Sequence, residues 1–346
     1  MQYHMKRKIK IAIVAILFPI LLWTMQHTYS NIEPPTLVYI PKGNPSTLLD
    51  ELSKQNIPLN FFDYRFFKRY GVPSSGWVRF AKDEELTREE FIEALVTRKR
   101  EKTRRVVMYS GDTIERFCVM VGEQTGISAE TLLAEYKRHS VYSDGGIMAG
   151  FYRIPYDTTA SSIIYHMVAK SEKEYITLAE KYMDEYTQKE WKRVLVKASI
   201  IQKETQDEKE MPLIASVIEN RLKKGLKLQM DAALNYGKHS HQIVTADRIK
   251  DDKSRNNTYA NEGLPLEPLC SCTLSAIEAA LKPAKTKYLY FMLNQRGRHN
   301  FAKTYKEHQR NVKRFKDKLE KKKRAESLAK SKKTDTNSAQ ELQQYP

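Results

Sequence analysis

Cysteine is scarce in this chain: three in 346 residues, Cys118, Cys270 and Cys272, with no CxxC pair. An odd count without paired spacing argues against a disulfide framework or a zinc knuckle. Cys118 reads as a core residue on a helix, and Cys270 and Cys272 alternate in a loop. A second long apolar run is also missing, which excludes a polytopic membrane protein. Acidic residues are the minority, 42 against 59 basic ones, for a formal net charge of +17. About half of that excess lies between Lys313 and Lys333. The folded part is therefore only moderately basic. Such a balance suits an anionic partner, whether nucleic acid, phospholipid head group or polyanionic polymer.

What is present begins with Lys6, Arg7, Lys8 and Lys10 ahead of an uncharged apolar run from Ile11 to Met25. Flanking residues extend the run towards the length a bilayer requires, with Lys10 snorkelling. The preceding cations predict a cytoplasmic N-terminus. The residues after the run, Thr24 to Ser30, offer no good small-x-small cleavage site. An uncleaved single-pass anchor over 11–29 is thus expected rather than a removed signal peptide. In either case everything after Ser30 is expected outside the cytoplasm. That placement weighs against a nucleic-acid partner.

The expected fold class is α+β. After the anchor, the pattern predicts a small α+β module at 36–102. Ser46 is expected to cap its first helix, Phe61 to Tyr70 to form an aromatic-rich helix, and Thr87 to cap a helix bearing Phe91, Ile92 and Leu95. Residues 103–142 follow as a strand, a Gly111-Asp112-Thr113 turn, a helix broken at Gly126 and a second helix capped by Ser128. This order resembles the LysM module, a glycan-binding βααβ unit. Asp112 or Thr113 equally reads as an ordinary helix cap. Residues 145–316 form a third, mixed α/β domain. The basic residues beyond 316 read as a tail that starts helical and ends disordered.

Val194 to Thr205 carries Val194, Leu195, Ala198 and Ile201 at core spacing for a helix. Glu204 sits at the C-terminal end, where the helix dipole disfavours an anion and raises a carboxyl pKa. A proton donor for glycoside cleavage needs such a setting. Position alone leaves a solvent-facing glutamate in a charged stretch as the simpler reading.

The segment Ala198-Ser199-Ile200-Ile201-Gln202-Lys203-Glu204-Thr205 resembles the catalytic signature of the endolytic murein transglycosylases of the YceG-like (MltG) family. Further matches follow in order: Asn220-Arg221-Leu222, Leu228-Gln229 with Asp231, Asn257-Thr258-Tyr259, Gly263-Leu264-Pro265, Pro283-Ala284-Lys285-Thr286, Tyr288 to Phe291, His299 and His308. The resemblance covers about 145 to 315. It implies that Glu204 is the essential acid and makes Asn220, Arg221, Gln229, Asp231, Asn257 and Tyr259 candidates for substrate binding. Three departures stand out: Gln202 replaces an acidic residue, Ala149-Gly150 replaces Glu-Gly, and Cys272-Thr273 replaces Pro-Gly.

The resemblance implies cleavage of the MurNAc–GlcNAc β-1,4 bond within peptidoglycan glycan strands, leaving 1,6-anhydro-MurNAc ends and terminating nascent strands. No cofactor and no metal are expected; His299 and His308 lack a third ligand at suitable spacing. The implied setting is the cell inner membrane, with the catalytic part on the periplasmic side near penicillin-binding proteins and the wall-synthesis machinery. The alternative is a non-catalytic peptidoglycan-binding scaffold built on the LysM-like module. A lysozyme-like hydrolase would instead need a second carboxylate, such as Asp231, to activate water.

Overall fold

The computed structural model describes residues 18–19, 30–239 and 242–321. The expected anchor at 11–29 lies outside them apart from Phe18 and Pro19, as do the N-terminal ten residues and the tail beyond 321. Among the described residues no helix is long and apolar enough to cross a membrane.

The chain divides into two compact units, residues 1–106 with 153–166, and residues 107–152 with 167–346. The first holds β1 (Asn31–Ile32), β2 (Leu37–Ile40), α1 (Pro45–Ser53), α2 (Tyr64–Tyr70), β3 (Gly76–Arg79), β4 (Leu86–Thr87) and α3 (Arg88–Thr97). Antiparallel pairs β1–β4 and β2–β3 lie against the helices. The core gathers Val38, Leu48, Leu52, Phe67, Val78, Phe80, Phe91 and Leu95. Asn44, not Ser46, caps α1: its side chain accepts from the Thr47 N–H, and Pro45 fits the first helical position. Thr87 caps α3 through a reciprocal bond with Glu90. The aromatic segment opens with a short 3-10 turn at Phe61–Asp63 before α2 begins.

The unit boundary falls within β5 (Thr103–Met108) and β6 (Gly150–Pro155), which pair with each other, and within α6 (Ala160–Tyr182). Between those strands run α4 (Ile114–Thr125) and α5 (Ala129–His139), giving the order β-α-α-β. Thr113 supplies the cap of α4 and Gly126 ends it at φ +76°, a left-handed conformation that costs glycine little. Ser128 caps α5.

The second unit is built on α7 (Gln188–Glu204), α8 (Met211–Lys223) and α10 (Leu274–Leu281), with the short α9 (Ala246–Asp251) and the hairpin β7 (Tyr290–Leu293) to β8 (His299–Ala302). Trp191, Leu195, Ala198, Ile201, Ile214, Val217, Ile218, Ile277 and Ala280 form the common core. Tyr288 to Phe291 leads into this two-stranded hairpin, where Tyr290, Phe291 and Met292 are half-buried and Leu293 is exposed. With one partner strand, one face and one edge stay open to solvent. Residues 305–321 are helical.

The 270–272 loop binds the βααβ segment to this core. Gly111 donates its N–H to the Ser271 carbonyl and Ser271 donates to the Asp112 carbonyl, each at 2.9 Å. All three cysteines are buried and free.

Candidate active site

α7 brings Glu204 to its place. Thr187 caps the start by accepting the Glu190 N–H at 3.2 Å. The apolar residues at 191, 194, 195, 198 and 201 then pin one face to the core. The helix stops when Thr205 turns extended at φ −149°. Glu204 is therefore the last helical residue, beside unpaired carbonyls at the negative end of the helix dipole.

A facing loop closes over it. Gln229 and Met230 run alongside Thr258: the Gln229 N–H reaches the Thr258 carbonyl at 3.1 Å, and the Met230 N–H reaches the Thr258 hydroxyl at 3.0 Å. Gln229 takes φ +51°, left-handed backbone that a side chain seldom adopts. The chain then tightens into a 3-10 turn, Asp231–Ala233. That turn aims the Ala232 N–H at Glu204 Oε1, 3.3 Å away. Asp231 stays exposed and accepts the Tyr259 hydroxyl proton at Oδ1, 2.6 Å away.

Burial pushes the Glu204 carboxyl up to about 7; the Ala232 N–H pulls partly against this, and the negative charge of Asp231 adds to it. Burial, then the bond to Asp231, raises the Tyr259 phenol as well, so it stays protonated as a donor. The arrangement presents one neutral acid beside one carboxylate that receives a hydrogen bond.

Of the residues singled out in the sequence, Glu204, Asp231 and Tyr259 come together, with Gln229 at the edge of the group. Arg221 does not pair with Asp231. Its guanidinium donates to the carbonyls of Leu289, Lys227 and Leu228 and to Gln229 Oε1, holding the loop. Asn257 is fully buried. Its amide donates to the Ile249 and Asp252 carbonyls, and its oxygen accepts from the Tyr259 and Ala260 N–H groups. It shapes the turn that presents Tyr259 and has no group left to offer a ligand. Asn220 spends its amide on the carbonyls of Thr286 and Tyr288.

His299 is taken up by Glu210, which accepts from the His299 backbone N–H at 2.8 Å and lies 2.7 Å from its Nδ1. His308 stacks on Tyr290. Sequence reasoning missed this pair, and it missed Asp144, which is buried. Asp144 accepts the Ile114 N–H at 2.6 Å and the Tyr236 hydroxyl at 2.9 Å, and burial pushes its carboxyl up to about 7. Tyr236 belongs to the loop that reaches Glu204, and Ile114 is the first residue of α4. Lys203, next to Glu204, lies 3.4 Å from the Gly111 carbonyl. Charged flanks gave no signal for these, because their partners lie far along the chain. A cavity of about 510 Å³ opens along the same loop, lined by Ala233, Leu234, Tyr236, Arg248 and Asp252 among others.

The three departures from the family pattern meet in one place. Gln202 is fully buried and its Oε1 accepts from both the N–H and the hydroxyl of Thr273, at 2.9 and 2.7 Å. Ala149 donates its N–H to the Cys272 carbonyl at 2.9 Å. The changes thus fit one another, and none of them touches the Glu204 carboxyl.

The sequence profile of the YceG-like family matches residues 38–314. A relative from Bacillus subtilis (strain 168) named endolytic murein transglycosylase is 38% identical over 156 residues, covering 44% of this chain and 42% of that one. One of the same name from Streptococcus pneumoniae serotype 2 (strain D39 / NCTC 7466) is 26% identical over 331 residues, covering 82% of this chain and 59% of that one. The chain spans about half the length of these curated relatives. The crystal structure of a yceG-like protein, lmo1499 from Listeria monocytogenes, matches with a TM-score of 0.51 at 22% identity, over 82% of this chain and 98% of that one. That likeness concerns the fold.

Proposed function

The chain belongs to the YceG-like family, and from that premise we propose that it is a membrane-anchored lytic transglycosylase that cuts peptidoglycan glycan strands internally. The observation that carries this reading is Glu204. A carboxyl at a helix C-terminus, partly buried and pushed up to about 7, holds a proton where a glycosidic oxygen needs one.

In the reaction Glu204 gives its proton to the leaving GlcNAc O4 as the C1–O4 bond of MurNAc breaks. The MurNAc C6 hydroxyl closes on C1, its proton leaves, and the 1,6-anhydro ring forms. No water enters the products. The nucleophile belongs to the sugar under attack, so proximity supplies much of the acceleration. One carboxyl is chemically sufficient, since the same group can give one proton and take the other. Loss of water from around the carboxyl outweighs the opposing Ala232 N–H, so Glu204 holds its proton up to about pH 7.

The β-α-α-β segment resembles a LysM module and contacts glycan in this reading. Its Gly111–Asp112 turn is tied by two backbone hydrogen bonds to the loop before α10. The run from Ile11 to Met25 anchors the chain in the inner membrane with Glu204 outside the cytoplasm, close to penicillin-binding proteins and the wall-synthesis machinery.

The test is product analysis. Full-length chain in detergent is incubated with purified glycan strands, and the ends are read by mass spectrometry. Wild type is expected to release anhydro-ended fragments, and Glu204→Gln none while melting as a folded protein. Active Glu204→Gln removes this residue from the role. Binding without cleavage by wild type would favour the scaffold reading, and reducing muramic acid ends a hydrolase.

A further inference from the structure

Asp231 is unused by the reaction as written, yet it is fixed as firmly as the acid itself. It and Ala232 are consecutive residues of one 3-10 turn: Ala232 holds Glu204 by its N–H, and Asp231 is held by Tyr259. The turn is pinned at its start by the paired bonds between Met230 and Thr258, and the strand leading to it by Arg221. Tyr259 is pinned in turn by the fully buried Asn257. Two carboxyl groups are therefore tied to consecutive residues of one turn.

Their environments differ. Glu204 is partly buried and meets one weak donor. Asp231 is exposed and receives a short bond from a phenol. Only Oδ1 is engaged. Among the described residues Oδ2 has no hydrogen-bond partner, and it is free to meet a ligand lying over Glu204. A partly buried acid next to an exposed carboxylate on the facing turn is an arrangement an acid and base pair can use.

We propose that Asp231 is a second catalytic carboxylate, which accepts the proton of the MurNAc C6 hydroxyl through Oδ2 as that oxygen bonds to C1. The inference rests on the transglycosylase reading and divides its two proton transfers between two residues. The C1–O4 bond breaks and O4 takes the Glu204 proton. The C1–O6 bond forms and the O6 proton passes to Asp231. The enzyme is left with an ionised Glu204 and a protonated Asp231, and transfer of one proton between them, directly or through water, restores the starting state. No oxidant, metal or second substrate is needed.

The experiment compares wild type, Glu204→Gln, Asp231→Asn and Asp231→Ala in full-length form on purified glycan strands, counting anhydro ends. Asp231→Asn is expected to lose about 100-fold or more in rate, the scale of one acid–base contribution, with its melting temperature little changed. Formate, a small carboxylate, is expected to restore part of the anhydro product to Asp231→Ala and none to Glu204→Gln. A structural brace would not respond to formate. The alkaline limb of the residual pH profile of Asp231→Asn is expected to move to lower pH. The titratable groups facing Glu204 are Asp231 and Tyr259, and removing the aspartate charge removes one cause that keeps the acid protonated.

Asp231→Asn within about threefold of wild type, against an inactive Glu204→Gln, overturns this inference and leaves the transglycosylase reading standing. An inactive Asp231→Ala that formate does not rescue also overturns it. Wild type that makes no anhydro ends sinks the reading itself, and this inference falls with it.

Discussion

At the scale of single residues, the acid that makes the site useful also strains the fold. Burial raises the Glu204 carboxyl from its ordinary value of 4.5 to about 7, so between those values the folded chain keeps a proton that the unfolded chain releases. Stability therefore falls as pH rises through that window. Replacing Glu204 with Gln removes the titration and keeps an oxygen for the Ala232 N–H. The variant should gain on the order of 2–3 kcal/mol over wild type at pH 8, and the gain should vanish near pH 4.5. Chemical denaturation at both values checks this; an equal gap at both would contradict it. Gln202 makes the reverse case. Gln202→Glu introduces a carboxyl into a fully buried position whose Nε2 now donates to Gln206 Oε1. It should cost about 2 kcal/mol at pH 8 and less at pH 5, with activity per folded molecule retained. A melting curve and a rate on the same sample decide it. Glu204 stood out in the sequence through the motif, since its place at a helix end reads equally as a solvent-facing glutamate. Asn220, Arg221 and Asn257 read in the sequence as hydrogen-bonding groups for ligand or loop alike; which of the two was not readable, because their partners are backbone carbonyls far along the chain. The Ala232 N–H carried no signal, since any residue except proline offers one.

At the scale of elements, caps were the part of the fold most readable in advance. Thr87, Thr113 and Ser128 each start a helix as their spacing implied, by accepting an N–H three residues on. Ser46 failed because Asn44 followed by Pro45 is the better start. The order of strands was less readable: among the described residues β7 and β8 form a two-stranded hairpin with no further partner strand, and a run of aromatics does not tell burial from a half-covered edge. Asp144 ties α4 to the loop that serves Glu204, receiving the first N–H of the helix and the Tyr236 hydroxyl. Asp144→Ala leaves both without an acceptor and should destabilise the second unit by about 2 kcal/mol or more. Hydrogen exchange at Ile114 should rise with it. Unchanged protection at Ile114 would show that the tie is dispensable.

At the scale of the whole molecule, the chain combines a family domain over residues 38–314 with an apolar run ahead of it and a basic stretch behind it. The cations before Ile11 and the absence of charge up to Met25 give the expected orientation its physical basis. Full-length chain expressed in bacteria should remain in the membrane pellet after alkaline carbonate washing, at its full mass. Release into the wash, or loss of the first thirty residues from the mature protein, would contradict an uncleaved anchor. The central claim is chemical: Glu204 must carry its proton for the glycan to be cut. The measurement that tests it most directly is the rate of anhydro-end formation by wild type between pH 5 and 9. The account predicts a rate that holds below about 7 and falls about tenfold per pH unit above it, with Glu204→Gln silent throughout. A rate that keeps rising to pH 9, or anhydro ends from Glu204→Gln, would contradict it.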